Sequence, residues 1–434
     1  MMRNLLLIYF GKIVSQLIQL FNLGDGSTWP GHIALKVNKH FVRELLSQSK
    51  TKTILIAGTN GKTTTAKLIQ TALTENNKTV VQNHSGANLL NGIASTLLLH
   101  TNIFGKLNYD YALFEIDENA LPIFLKETTP EYFVALNLFR DQLDRYGEVN
   151  SIIGHWKTAL EKLPKTTTMI LNADDPQIAY LAKGTSATVK YFGLQSSQFG
   201  NNKLQHAADS VYCPNCGERL IFNSLAFSHL GDWHCPKCGV KRPAITDARF
   251  AVYPLPGLYN KYNVLAAIAL LKQTGLSDEE INFSFAEFEP AFGRQEIITY
   301  KDKNVQIFLS KNPTSFNESY TTIRELGGKT LLLVLNDRIP DGRDVSWIWD
   351  VDLTELNEFK NILVAGDRVY DMALRLKYEL GIKNYESRVT TCENLKEAID
   401  ESTKLVEDNE TLFILPTYSA MLEVRKILTG KKIL

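Results

Sequence analysis

Gly58-Thr59-Asn60-Gly61-Lys62-Thr63-Thr64 stands between an apolar β-branched run, residues 53–57, and a stretch from about Thr63 to Glu75 whose apolar residues recur at helical spacing. Glycines in such a loop let backbone N–H groups approach phosphate oxygens. A lysine adds charge, and a hydroxyl at the helix start can ligate Mg²⁺. Gly58 and Gly61 permit the turn, Lys62 is expected to face the β- and γ-phosphates of ATP, and Thr63 is the Mg²⁺-ligand candidate. The loop is shorter than the common G-x-x-x-x-G-K-[ST] form, because Ile56 occupies that pattern's first glycine position. A second constellation is Cys213-Pro-Asn-Cys216-Gly with Cys235-Pro-Lys-Cys238-Gly, 18 residues apart. Each turn directs two thiolates at one point, so a closed, structural Zn²⁺ site is expected, with no open position for catalysis. His229 and His234 lie close by but are expected to be solvated. Cys392 stands apart as a small buried hydrophobe.

The elements that must hold these residues follow from the hydrophobic pattern. Strand candidates are Val80-Val81, 111–116, 132–138 and 168–171, with helical patterns between several of them, so a parallel α/β sheet is expected around the loop. Short, turn-rich segments from Leu204 to Arg242 read as an insertion. Helical spacing returns at 259–273. A second α/β pattern then places strands at 306–309, 330–335, 361–364 and 411–415 and helices at 315–326, 371–380, 394–406 and 419–429. The boundary between the two is expected near 296–302.

At 434 residues the chain fits two or three domains. Apolar content of 44% with 22% charged residues is that of a globular protein able to bury cores. Acidic and basic residues balance at 47 each, and basic–aromatic clusters are lacking, so no nucleic-acid partner is expected. Cysteines in C-x-x-C pairs favour metal in a reducing compartment over disulfides, hence a cytoplasmic location. The N-terminus lacks a small-residue cleavage site, and Lys12, Gln16 and Gln19 interrupt its apolar run. Leu5, Leu6, Ile8, Tyr9, Ile13, Leu17, Ile18 and Leu20 recur at helical spacing, which predicts an amphipathic helix docked on the protein or lying on a membrane surface. Residues 24–31 (GDGSTWPG) form a turn-rich linker after it.

The loop and its context resemble the Mur ligase superfamily, which includes the peptidoglycan amino-acid ligases and folylpolyglutamate synthase. Further segments match in order. Glu115, in 114–118 (FEIDE), corresponds to the family's Mg²⁺-binding glutamate. Residues 137–147 (NLFRDQLDRYG) resemble N-x-x-x-D-H-L-D-R-x-G, with Gln142 where the family has a metal-binding histidine; that departure weakens a second Mg²⁺ site. Lys157, fifteen positions on, matches the spacing of a lysine that many of these ligases carbamylate. Carbamate ligand and helix-surface lysine both stay open. Residues 171–176 (LNADDP) resemble a strand-end segment near the nucleotide. Asn260 and Asn263 in 256–263 (PGLYNKYN) match the asparagines that hold adenine and loop, and Arg294 in 292–296 (FGRQE) matches the arginine closing the central domain. By this resemblance Gly58, Thr59, Asn60, Gly61, Lys62, Thr63, Thr64, Asn260, Asn263 and Arg294 bind ATP, and Thr63 and Glu115 bind Mg²⁺. The fold implied is α/β: residues 1–50 form the N-terminal helix and linker, and 51–298 a Mur ligase-like central P-loop ATPase domain. A zinc-ribbon insertion spans about 204–242, and a C-terminal Rossmann-like domain spans 299–434.

In that family ATP phosphorylates a carboxylate and an amine attacks the acyl phosphate. The amino-acid-adding members begin with a UDP-sugar domain of about a hundred residues; about fifty precede this loop. The linker, the Cys₄ insertion, 309–317 (LSKNPTSFN) and 336–352 (NDRIPDGRDVSWIWDVD) instead resemble the ligase-like subunits of lipid II isoglutaminyl synthases, over nearly the whole chain. That resemblance implies amidation of D-glutamate in lipid II at the inner face of the membrane. It also implies ammonia from a GatD-like glutamine amidotransferase subunit. An aspartate of this chain then completes the partner's Cys–His pair: Asp350, flanked by Trp349, with Asp344 and Asp352 as fallbacks. The alternative is an amino-acid-adding muramyl or folylpolyglutamate synthase-type ligase. A zinc-ribbon nucleic-acid binder is opposed by the neutral charge, and a subunit with a relic nucleotide site by the retained motifs.

Overall fold

The computed structural model describes residues 2–20, 28–83, 86–140, 149–195, 198–200, 204–205, 208–245 and 252–431. Six strands form the first sheet: β1 (Lys52–Ala57), β2 (Val80–Gln82), β3 (Tyr111–Glu115), β4 (Tyr132–Ala135), β5 (Thr168–Asn172) and β6 (Thr188–Phe192). Their order is β2-β3-β1-β4-β5-β6, and every pairing is parallel. A parallel sheet needs cover on both faces, which is why its central strands read as unbroken apolar runs. In β1, Leu55 and Ala57 enter one core while Ile54 and Ile56 enter the other, the two-residue period of a strand feeding two layers. One layer is built by helices Trp29–Val37, Phe41–Ser47, Leu90–His100 and Val149–Leu160. The other is built mainly by Lys62–Glu75, Leu258–Thr274 and Asp278–Ala286. The N-terminal helix Met2–Leu20 packs on Trp29–Val37 and Leu90–His100 through Leu7, Ile8 and Gly11.

Strands β7 (Ile221–Phe227) and β8 (Leu230–His234) form an antiparallel hairpin inside the expected insertion. The second sheet contains β9 (Arg294–Tyr300), β10 (Lys303–Phe308), β11 (Thr330–Val334), β12 (Asn361–Ala365), β13 (Val389–Thr391) and β14 (Thr411–Pro416), in the order β13-β12-β11-β14-β10-β9. It is parallel except for β9, which pairs antiparallel with β10. The α/β architecture agrees with the hydrophobic pattern. β6, β9 and β13 are additions: all three are edge strands with half-exposed, polar-containing sequences that lack a long apolar run. Because β9 begins at Arg294, the second sheet starts inside the stretch expected to close the central domain.

The four paired cysteines converge. Their sulfurs all lie within 4.8 Å of one another, with Cys213–Cys238 at 3.6 Å and Cys216–Cys235 at 3.5 Å. Four thiolates at a Zn–S distance of about 2.3 Å would be roughly 3.8 Å apart, so this donor set fits a tetrahedral Zn²⁺. The purified chain is expected to carry about one zinc by elemental analysis, and Cys235→Ser to reduce that to well under half while lowering the melting temperature. Unchanged metal content in the variant would remove the cluster from consideration as a zinc site.

Candidate active site

β1 lies between β3 and β4; the connection leaving β1 runs one way along the sheet, to β2, and the one leaving its neighbour β4 runs the other way, to β5. The crevice at such a switch point, beyond the carboxyl ends of the strands, is where α/β folds bind ligands. The loop Gly58–Gly61 emerges there and leads directly into helix Lys62–Glu75. Gly61, at φ 91°, caps that helix, and a Cβ on it would fall 2.0 Å from Asn263 Oδ1, so only glycine fits between loop and asparagine. Asn137, just past β4, fixes the loop from the other side. Its carbonyl accepts from Thr59 N at 3.0 Å and its Oδ1 from Asn60 N at 2.9 Å, while its Nδ2 donates to Asn60 O at 3.0 Å.

Four charged groups meet at the start of the helix. Thr63 Oγ1 donates to Glu115 Oε2 at 2.7 Å, and Lys62 Nζ lies 3.3 Å from Glu118 Oε1. Asn83 holds the Glu115 backbone at both N–H (3.0 Å) and C=O (2.9 Å), which fixes the end of β3. Burial raises the Glu115 pKa, opposed by the Thr63 bond and by the charges of Arg294 and Lys62. Burial depresses the Arg294 pKa, opposed first by Glu115. Thr63 and Glu115 are hard oxygen donors suited to Mg²⁺, and Lys62 and Arg294 are cations suited to phosphate oxygens.

Beyond the loop a cleft, with about 670 Å³ of space counted out to its open mouth, runs between the two sheets. Asn60, Asn260 and Asn263 line it together with Arg294, so the expected nucleotide residues converge. Asn263 Nδ2 donates to Asn260 Oδ1 at 3.0 Å, and Asn260 Nδ2 to Pro256 O at 2.7 Å. Phe139 and Phe227 form one wall, their rings stacked with centroids 6.2 Å apart. The C-terminal domain closes the cleft with helix Pro313–Glu325, whose cap Asn312 donates to Asn60 Oδ1 at 3.0 Å. Glu318 of this helix also lines the cleft; burial pushes its carboxyl up to about 8, helped by the nearby charge of Glu325 and opposed by a bond to Gln205. Neither Glu318 nor Asn312 was singled out by spacing, although both lie in or beside the 309–317 segment.

The aspartates of 171–176 are wholly buried. Asp174 accepts from Arg242 Nε and Tyr262 OH, both at 2.7 Å, and from Leu194 N at 2.9 Å, which joins strand end, insertion and helix Leu258–Thr274. Asp175 caps the short helix Pro176–Tyr180 and accepts from Leu138 N at 2.9 Å. His229 corrects the expectation of a solvated histidine. It has no exposed surface, faces Asp175 Oδ2 at 3.4 Å and packs on Phe139 at 4.8 Å. The tight β7–β8 turn, with Ser228 at φ 47°, drives the ring inward.

Two expected residues lie elsewhere. Lys157, on helix Val149–Leu160, bonds Glu161 and the Lys183 carbonyl and faces Tyr180. Its neighbour Trp156 is buried and donates to the Glu118 carbonyl at 2.7 Å, so Trp156 is the residue of this helix that reaches the charged cluster. Gln142 lies outside the described residues. Asp350 ends a 3₁₀ turn, Ser346–Asp350, with its carboxylate about half exposed and 3.5 Å from Arg140 Nη1. Arg140 also pairs with Asp209 of the insertion at 2.5 Å. Asp344 accepts from Ser346 N and Asp352 from Thr354 N within the loop, and Asp341 is buried against Ser419. Arg375 secures the turn by donating to the carbonyls of Ile348 and Val351.

Glu318 carries a pH signature. Its folded-state pKa is raised, so between about 4.5 and 8 the folded chain keeps a proton that the unfolded chain has lost, and stability falls as pH rises through that window. Glu318→Gln, which cannot ionise, is expected to gain in melting temperature relative to the parent from pH 5 to pH 8, with no further gain above. A difference that stays constant over this range would show that the carboxyl titrates normally.

The profile of the Mur ligase middle domain matches residues 56–271, and that of the MurT ligase C-terminal domain matches residues 309–421. A lipid II isoglutaminyl synthase (glutamine-hydrolyzing) subunit MurT from Staphylococcus aureus is 35% identical over 374 residues, covering 81% of this chain and 83% of that protein. A protein of the same name from Streptococcus pneumoniae is 32% identical over 436 residues, 95% of each. Among solved structures, a pseudomurein peptide ligase type C from Methanothermus fervidus superposes with a TM-score of 0.66 at 21% identity, over 88% of this chain and 79% of that one. A Mycobacterium tuberculosis folylpolyglutamate synthase complexed with ADP gives 0.62 at 17% identity, over 97% of this chain and 100% of that one. These two establish the fold. With its middle and C-terminal domains both matched, and relatives above 30% identity over most of their length, the chain is a ligase and belongs to the MurT family of Mur ligases.

Proposed function

We propose that the chain is the synthetase subunit of a lipid II isoglutaminyl synthase. It amidates the α-carboxyl of D-glutamate in the lipid II stem peptide to D-isoglutamine, at the cytoplasmic face of the membrane. The observation that carries the chemical part is the cluster of Thr63, Glu115, Lys62 and Arg294 at the mouth of the interdomain cleft. The relatives, lipid II isoglutaminyl synthase (glutamine-hydrolyzing) subunits, support the substrate and the nitrogen source of this reading.

In this reading the cleft between Asn260, Phe139 and Glu318 takes the nucleoside, and the loop N–H groups with Lys62 take the phosphates. Thr63 and Glu115 would hold Mg²⁺, which when bound neutralises phosphate charge. A substrate carboxylate oxygen attacks the γ-phosphorus and the bond to ADP breaks. Lys62 and Arg294 then face the charge on the transferred group. Ammonia adds to the acyl carbon, loses a proton and expels phosphate. An acyl phosphate hydrolyses readily, so exclusion of water by the apposed domains, tied by Asn60 and Asn312, protects it. Lys157, turned toward Glu161, plays no part in this reading.

The ammonia comes from a GatD-like glutaminase. Beside Asp350, Trp349 is half exposed and meets Tyr378 edge-on at 5.8 Å. Tyr370, Leu374 and Tyr378 line one face of the helix that starts at Val369, at four-residue spacing, and Ile382 follows just past its break at Gly381; all four are more than half exposed. An aromatic surface of this kind suits a protein partner. Asp350 is the carboxylate we assign to the partner's histidine, with the contact to Arg140 keeping it extended until the partner docks.

Two experiments test this. With ATP, lipid II and ammonium, the chain is expected to give an amide product by mass spectrometry, and hydroxylamine to divert it to the hydroxamate expected of an acyl phosphate. Lys62→Ala is expected to lower the rate about 100-fold or more. A product carrying an added amino acid would point to the muramyl or folylpolyglutamate type of ligation instead. In the two-subunit complex, Asp350→Asn is expected to cut glutamine hydrolysis about 100-fold or more while amidation from ammonium persists. Unchanged glutaminase activity would remove Asp350 from the partner's site.

A further inference from the structure

A helix on the surface of a globular protein turns its apolar stripe inward and its polar face to water. The N-terminal helix Met2–Leu20 does not. Its inner face is filled by Leu7, Ile8, Gly11 and Ser15, yet its outer face carries Leu6, Tyr9, Phe10, Ile13, Leu17 and Leu20, each between 46% and 74% exposed. At 100° per residue these six fall within a single sector of about 100°. The sector is flanked by Arg3 on one side and by Gln16 and Lys12 on the other. The loop after helix Leu90–His100 extends the same surface. Ile103 and Phe104 are 64% and 66% exposed, and the loop is tied to the helix where Tyr9 OH donates to Ile103 O at 2.7 Å and Lys12 to the Thr101 carbonyl. Eight large apolar side chains about half or more exposed reach the upper end of what monomers show, about 300–600 Å² in one patch.

Charge selects the occupant. Residues 2–20 and 101–107 contain no aspartate or glutamate, while Arg3, Lys12 and Lys106 rim the patch. Among the described residues, Glu44 is the acid that the helix binds, through Arg3 and Asn4. An apolar, aromatic-bearing stripe edged by cations is the composition of a helix that lies in a membrane interface, where acyl chains take the stripe and anionic headgroups the rim. No described helix is long and apolar enough to cross a bilayer, so the contact is in plane. The aromatic surface near Asp350 lies on the other domain and is spoken for by the protein partner.

We propose that the outer face of Met2–Leu20, with Ile103 and Phe104, docks the protein on an anionic lipid surface. The purpose of this contact rests on the reading of a lipid-linked substrate, but the contact itself can be measured without it. The full chain is mixed with vesicles of phosphatidylglycerol or of phosphatidylcholine, both free of lipid II, and sedimented. Binding to phosphatidylglycerol is expected to exceed that to phosphatidylcholine at least fivefold and to weaken as salt is raised. Phe10→Glu with Leu17→Glu is expected to lower it tenfold or more with an unchanged melting temperature, and Phe104→Glu, in the loop, to lower it independently. Vesicle binding that is absent, or that survives both variants, overturns the proposal. So does a concentration-dependent dimer, or a complex with the glutaminase, that the helix variant dissolves, since another protein surface then covers the patch. Amidation of lipid II in detergent reports the substrate reading separately.

Discussion

The arrangement of the two domains depends on one buried charge cluster. Glu115, at the end of β3, is almost wholly removed from water, and a carboxylate there is costly unless cations and hydrogen bonds compensate it. Lys62 and Thr63 supply part of that compensation from the same domain. Arg294 adds to it from the first residue of β9, which belongs to the second sheet. The electrostatics of the loop are therefore complete only when both sheets are in register. The paired amides of Asn60 and Asn312 span the same junction with weaker, neutral bonds. A site that needs both domains to balance its charge is suited to phosphoryl transfer, because the cations that balance Glu115 are the ones that can turn to phosphate oxygens.

How much of this was legible in the sequence follows from how local each signal is. The loop was readable because seven consecutive residues carry it, and β1 and the helix after it have clean periodicities. Glu115 was readable through its match to the family's glutamate; its place at the end of a strand alone would read as a surface carboxylate. The cysteines were readable because each pair is a closed local turn. Glu318 left no signal: it is one glutamate on a helix of the second domain, and only the fold brings it into one cleft lining with Tyr259 and Phe139. His229 was misjudged for the same reason, since its burial depends on Phe139 and Asp175, 90 and 54 positions away in sequence. On helix Val149–Leu160 the difference between Lys157 and Trp156 is one residue, about 100° of rotation. Spacing alone points to a helix more reliably than to a face of it.

The second sheet shows the same limit from the side of the fold. Its central strands β11, β12 and β14 have continuous apolar runs because helices cover both faces. β9 alternates, with Ile297 exposed and Ile298 packed against the core, and its first residues double as the arginine segment of the site. A strand that serves both an edge of one sheet and the charge balance of the other reads as neither.

The cysteine-bearing hairpin is more than an appended module, because its contacts run into the interdomain cleft. Phe227, at the end of β7, lines that cleft, stacks on Phe139 and meets Tyr262 edge-on at 5.7 Å. Arg242 and Tyr262 converge on Asp174, and Trp233 donates to Ala173 O at 3.0 Å. Cys213 and Cys235 pack in one small apolar cluster with Trp233 and Leu220. A metal that fixes the cysteine turns therefore fixes Trp233. Trp233 fixes the end of β5, and the end of β5 holds the asparagine-bearing helix Leu258–Thr274 through Asp174. Each link is a buried hydrogen bond or ring contact, so none can loosen without exposing a polar group or opening a void. The path from the thiolates to the cleft runs through apolar packing and buried hydrogen bonds, so a metal held by the four cysteines would support the wall of the cleft.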